Sequence, residues 1–232
     1  HNGGFKIVTD TANRETNKIK ISDYEPIVGR STIQQLRNLS EKLSGKIIQT
    51  VNSTFTGGGV AEILSRMVPL LGQLGVDIRW HVIKGNDDFF QVTKKFHNAL
   101  HSREEIITPE DFSTFLQTSQ KNLEEMDICG DIIFIHDPQP IGLVDRKKDL
   151  GRKWVWRCHI DVSNPDKKVW DFLQTYIKEY HAAIFSAPAF SQPLPIRQFL
   201  ISPSIDPLSN KNKELPDETI QEVLRKYRIL SN

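Results

Sequence analysis

From Lys46 onward the sequence alternates short β-rich runs with longer amphipathic stretches, and this rhythm constrains the fold more than any other feature. The runs extend from Ile47 to Asn52, Ile78 to Ile83, Asp131 to Ile135, Trp154 to Ile160, Ala182 to Ser186 and Gln198 to Ile201. Helical candidates separate them, over Val60 to Leu74, Phe89 to Leu100, Pro109 to Met126 and Asp166 to Tyr180. Parallel strands need long crossovers, usually helical, so strand–helix–strand repetition predicts an α/β fold: a Rossmann-like parallel sheet covered by helices. The spacing of Ile33, Leu36, Leu39 and Leu43 predicts a further helix from Ser31 to Leu43, stopped by Gly45. Ile220, Val223, Leu224 and Tyr227 predict an amphipathic helix from Pro216 to Tyr227. The expected organisation is an N-terminal extension over 1–45, a Rossmann-like domain over 46–212 and a terminal helix or linker over 213–232.

Composition removes several function classes. Thirty Lys and Arg balance twenty-nine Asp and Glu, and no basic stripe with interleaved aromatics occurs, so no nucleic-acid partner is expected. Apolar runs break well before the ~20 residues that a membrane span requires, and no charged-then-apolar leader opens the sequence, so no membrane partner and a cytoplasmic location are expected. Cys129 and Cys158 stand alone, without metal-ligand spacing, and read as buried free thiols. No Asp-x-Asp pair is present, so no metal is expected.

Open parallel sheets bind ligands beyond the carboxyl ends of their strands. Polar clusters follow the predicted strands at Ser53 to Gly59, Lys84 to Asp88, His136 to Gln139, His159 to Asn164 and Ser202 to Asp206. The run Gly57, Gly58 and Gly59 permits a tight turn that aims helix-start N–H groups at a phosphate or sugar hydroxyl, though a simple turn would look the same. In His136-Asp137-Pro138-Gln139-Pro140 the prolines stiffen a backbone carrying donors and acceptors suited to a polyhydroxylated ligand. Strand alternation through Arg157, His159 and Asp161 would place all three on one surface, with Trp154 and Trp156 as core or wall. Helical spacing brings Lys94, His97 and Asn98 together, on a face that is either solvated or ligand-facing.

Taken in order, VNSTFTGGGVAEIL, IRWHVIKGNDDFFQVTKKFHNALH, IHDPQP, WVWRCHIDVSNP and SPSIDPLSNKN resemble the N-terminal domain of glycosyltransferring trehalose synthases, from about Gly45 to Asn212. The resemblance implies the N-terminal half of a GT-B architecture and retaining transfer of glucose from a nucleoside-diphosphate glucose to glucose, giving trehalose, with no cofactor or metal. It also implies residue roles: Gly57, Gly58 and Gly59 beside the donor diphosphate and sugar, His159 with Arg157 and Asp161 at the reaction centre, and His136, Asp137, Gln139, Lys94 and Asn98 on acceptor hydroxyls. The family carries its nucleotide grip in a second Rossmann domain, so this chain is expected to be inactive without that partner, in cis or in trans, and an exposed docking face would favour self-association as a homo-oligomer. Glu214 and Glu222 share the spacing of the family's donor-binding pair but lack its context. Two alternatives stay open: half of a retaining trehalose phosphorylase, or a non-catalytic sugar-binding or interaction module.

Overall fold

The structure is a computed structural model that describes residues 19–209, 211–212, 214–227 and 229; the start of the expected extension, through residue 18, lies outside the described residues. In chain order it comprises a 3-10 turn at Ile21–Tyr24, α1 (Glu25–Val28), α2 (Arg30–Glu41), β1 (Ile47–Asn52), α3 (Gly59–Gln73), β2 (Asp77–Val82), α4 (Asp87–Leu100), α5 (Pro109–Glu125) and β3 (Ile132–His136). A 3-10 turn at Ile141–Arg146, α6 (Lys147–Leu150), β4 (Lys153–Arg157), α7 (Lys167–Ile177), β5 (Ala182–Phe185), a 3-10 turn at Pro188–Phe190, β6 (Arg197–Leu200) and α8 (Asp217–Lys226) follow among the described residues.

All six strands pair in parallel in the order β2-β1-β3-β4-β5-β6. The register sorts their side chains onto two faces. Val51, Ile133, Ile135, Trp154, Trp156, Ala183 and Phe185 point into the main core under α4, α5 and α7. Phe89, Phe96, Phe112, Phe115 and Phe172 of those helices stack with ring centroids between 4.7 and 6.0 Å. Trp80 faces the other way and packs with Ala61 and Leu64 of α3. The connection from β1 to β2 therefore covers one face and the connection from β2 to β3 the opposite one. Their divergence makes the carboxyl ends of β1 and β3 the topological switch point of the sheet.

Local chemistry explains where the covering helices start. Asn86, Thr108 and Asp166 each accept a backbone N–H in the first turn of α4, α5 and α7, and Thr108 with Asp111 closes a reciprocal capping box. Inside the sheet, the fully buried Gln49 amide donates to the Asp127 carbonyl at 2.8 Å and accepts from the N–H groups of Cys129 and Gly130. This fixes the approach to β3.

Two expectations need correction, and two expected helices form with exposed apolar stripes. β4 ends at Arg157 rather than continuing to Ile160, because the His159 N–H turns to the Asp137 carboxylate at 2.8 Å. Strand alternation thus cannot align Arg157, His159 and Asp161. Cys158 is buried, but Cys129 is only half-buried. On α2 Ile33 is buried whereas Leu36 and Leu39 are exposed, and on α8 Ile220, Val223 and Tyr227 are exposed, so both apolar stripes are largely uncovered here. Among the described residues no helix is long and apolar enough to cross a membrane.

A Cβ at Gly130 would lie 2.7 Å from the Gln49 Cβ and 2.9 Å from two backbone atoms. Neither backbone can yield cheaply, so Gly130→Ala is expected to lower the unfolding free energy by about 1–3 kcal/mol, measured by urea denaturation, with Gly72→Ala as the exposed-helix control that does not.

Candidate active site at the strand ends

The switch point is built from neighbouring strands. Register places Thr50 of β1 beside Phe134 of β3, and His136 at the end of β3 beside Arg157 at the end of β4. Thr50, His136 and Arg157 share the face opposite the main core. The Thr50 hydroxyl lies 2.8 Å from His136 Nε2, and His136 Nδ1 lies 2.9 Å from His159 Nε2, with the two rings nearly parallel at 19°. Asp137 sits at φ +62°, a left-handed conformation that Asp tolerates better than most residues. Its N–H donates to the Arg157 carbonyl, its carbonyl accepts the Trp156 indole N–H, and its carboxylate holds the His159 N–H. These bonds fix the loop after β3 against the loop after β4.

Burial dominates the electrostatics. It lowers His136 to about 3, helped by the His159 ring and the Arg157 cation. His159 falls to about 4 by burial and then by Arg157. Both imidazoles are therefore neutral at physiological pH. The Asp137 carboxyl is pushed up to about 7 by burial, against the stabilising His159 N–H and Arg157. Desolvation also lowers Arg157, whose guanidinium donates to the Ile201 carbonyl at 2.7 Å.

The sequence-predicted residues separate into groups. Arg157, His159, His136 and Asp137 come together. His136 is 3% exposed with both ring nitrogens engaged, so a direct bond to an acceptor hydroxyl would have to break one of them. Asp161 instead accepts from the Ser163 hydroxyl and from its N–H at 2.9 Å, which holds its carboxyl below the ordinary value. Lys94 is exposed on α4, and the Asn98 amide donates to Glu105. Gln139 lines a narrow gap with Phe89, Asn122 and Leu143. Asp206, from the last strand-end cluster, takes the Tyr24 hydroxyl at 2.8 Å and faces Arg66 at 3.5 Å, so it ties the N-terminal turn to α3.

The glycine run is the exposed turn into α3. Gly57 and Gly58 have φ of +76° and +82°, which other residues rarely adopt, and no side chain caps the helix. The backbone N–H groups at its start remain available to an anion. Beside it, Ser53, Phe55, Thr56, Lys84, Gly85 and Phe90 line an open crevice of about 670 Å³ at the ends of β1 and β2. A Cβ on Gly85 would meet the Phe89 ring at 2.6 Å and the Phe90 ring at 3.2 Å, so glycine lets both rings close on this wall. Thr50 and the aromatic wall escaped the sequence reading, since one threonine inside a strand and isolated phenylalanines resemble ordinary core. A cleft of about 470 Å³ between α5 and α7, lined by Gln117, Ser119, Asp145 and Tyr176, lies away from the strand ends and gathers no comparable chemistry.

The two histidines have folded-state values below their ordinary 6.5, so their contribution to stability is complete above that pH and is lost as pH falls through about 4 for His159 and about 3 for His136. Asp137 has the opposite sign: its folded value is raised, and its contribution is lost as pH rises through about 7. Asp137→Asn is therefore expected to gain stability relative to the unmodified chain as pH rises from 4 to 8, in denaturant titrations at each pH. A stability difference independent of pH would contradict the assignment.

Comparison with known proteins places this chain in a family. The family model for the trehalose synthase N-terminal domain matches residues 50–192. Trehalose synthase of Pyrococcus horikoshii is 40% identical, over 92% of this chain and 52% of the relative, and that of Rubrobacter xylanophilus is 36% identical over 90% and 52%. A trehalose phosphorylase of Pleurotus sajor-caju is 28% identical over 68% of this chain and 24% of its own. The chain thus spans about half the length of the trehalose synthases it matches. Among solved structures, one described as trehalose-6-phosphate from E. coli bound with UDP-2-fluoro glucose superposes with TM-score 0.53 at 15% identity, covering 78% of this chain and 54% of that one. An α,α-trehalose-phosphate synthase (UDP-forming) from Burkholderia vietnamiensis gives 0.51 at 12%, covering 77% and 54%. The fold is a Rossmann-like parallel sheet covered by helices, shared with those structures, and the chain belongs to the trehalose synthase family, whose N-terminal domain it matches.

Proposed function

We propose that this chain supplies the acceptor-binding half of a retaining glucosyltransferase that moves glucose from a nucleoside-diphosphate glucose to glucose, forming trehalose. The observation that carries the reading is that one end of the sheet presents an open aromatic-walled crevice after β1 and β2, an uncapped helix start after β1 and a neutral histidine held by buried partners after β4. Departure of a diphosphate from an anomeric carbon leaves positive charge on the sugar and negative charge on the phosphate. Fixed donors and cations at that point stabilise the separation without reorganising.

In this reading the Gly57–Gly59 turn and the α3 N-terminus approach the donor diphosphate, and His159 lines the reaction centre with the Arg157 charge behind it. Asp161 flanks that centre from the loop after β4. The acceptor glucose occupies the crevice, with Phe55 and Phe90 against its apolar faces and Ser53, Thr56 and Lys84 near its hydroxyls. His136 and Asp137 act from behind by holding His159; Gln139, Lys94 and Asn98 remain proposed acceptor contacts along the α4 side. No metal ion or cofactor is required. The nucleotide grip belongs to a second domain of the kind the longer relatives have room for, so the chain alone is not expected to turn over.

A protein joining this chain to such a second half is expected to make trehalose from UDP- or ADP-glucose plus labelled glucose, and the chain alone to make none. Product dependent on inorganic phosphate and trehalose instead would assign a phosphorylase, and glucose binding without product would leave a binding module. In the joined protein, His159→Ala is expected to reduce kcat about 100-fold or more. Phe90→Ala should raise the KM for glucose by about threefold to tenfold with kcat little changed, as for loss of one aromatic contact. Equal kinetics in both variants would refute the placement.

A further inference from the structure

The buried row formed by Thr50, His136 and His159 has a polarity that its own hydrogen bonds determine. Thr50 is 1% exposed, and its hydroxyl has one partner among the described residues, His136 Nε2. A hydroxyl carries one proton, and a buried hydroxyl proton left without an acceptor costs about 1–3 kcal/mol. If His136 Nε2 carried a proton, the threonine would have to accept and its own proton would be stranded. The hydroxyl therefore donates, and His136 Nε2 is the bare acceptor nitrogen. A neutral imidazole has one N–H, so in His136 it is on Nδ1 and donates to His159 Nε2 across 2.9 Å. The proton of His159 is then on Nδ1, which has no partner among the described residues and is not among their buried orphan atoms.

We propose that Thr50 and His136 are positioning residues that fix the tautomer of His159, so that its free Nδ1 is presented at the strand ends as an N–H donor rather than as a base. The inference rests on the proposed transferase reading for its catalytic meaning, though not for its geometry. Its chemical consequence is specific. The ligand atom opposite His159 must be an acceptor, such as a sugar hydroxyl oxygen or a phosphate oxygen, and His159 neither attacks the anomeric carbon nor removes the acceptor proton. The Asp137 carboxylate completes the clamp by holding the His159 backbone N–H, so the ring is fixed at both its main chain and its Nε2.

Imidazole nitrogen NMR of this chain, labelled with 15N in histidine and free of ligand at pH 7, tests the tautomers directly. The expected spectrum shows His136 and His159 both protonated at Nδ1, the form that free imidazole side chains disfavour in water. Thr50→Val removes the hydroxyl while keeping the shape of a β-branched side chain, and is expected to turn His159 into a mixture of both tautomers; Thr50→Ser restores the single form. His159 protonated at Nε2 in the unmodified chain would overturn the proposal, and this decides the matter even if Thr50→Val fails to fold. An unchanged His159 in a folded Thr50→Val would overturn it equally. In the joined two-domain protein, Thr50→Val should lower kcat about tenfold or more with the KM for glucose held within about twofold, as for loss of a partner that orients a reactive histidine. The expected spectra with no transfer activity in any form would sink the transferase reading and leave the relay standing.

Discussion

The parallel register across β1, β3 and β4 is the constraint on which the site depends. It puts Thr50, His136 and Arg157 on the same face at the strand ends, where the covering helices diverge and no longer fill the space. A slip of one residue in β3 would turn His136 into the phenylalanine-lined core and Ile135 out to the crevice. Such a slip is strongly opposed, since Ile133, Ile135, Trp154 and Trp156 are all fully buried on the core side. The chemistry is thus held in place by the packing of the opposite face.

Backbone turns add what the sheet alone cannot supply. Asp137 leaves β3 in a left-handed conformation, which directs its carboxylate onto the His159 N–H and ends β4 at Arg157. Gly57 and Gly58 turn the chain from β1 into α3 and leave the helix start uncapped. By contrast α4, α5 and α7, which build the core, are all capped by side chains. At the start of α3 the backbone N–H groups lack a side-chain partner and can therefore meet an anion.

Most of the fold was legible in the sequence because strand and helix periodicities are local properties. β1 has the expected bounds, the other strands but β4 shift by a residue, and the turns and short helix from Ile141 to Leu150 carried no periodic signal. The site was legible only as strand-end clusters. Motif order found His136, Asp137, Arg157 and His159, but not their division of labour, because a buried, doubly bonded His136 and a half-open His159 look alike in one dimension. Lys94, Asn98 and Asp161 were grouped by helical or strand spacing, whereas Lys94 is exposed and nearby residues Glu105 and Ser163 take up Asn98 and Asp161. Thr50 became visible only when β1 and β3 lay side by side.

The proposed function requires a sugar in the crevice at the ends of β1 and β2, beside the loop that carries His159. Backbone amide NMR of the 15N-labelled chain during titration with glucose tests it most directly. The account predicts saturable shifts concentrated at Ser53 to Gly59, Lys84 to Phe90 and His159. Shifts confined to Gln117, Asp145 and Tyr176 in the α5–α7 cleft, or none at any glucose concentration, would contradict it.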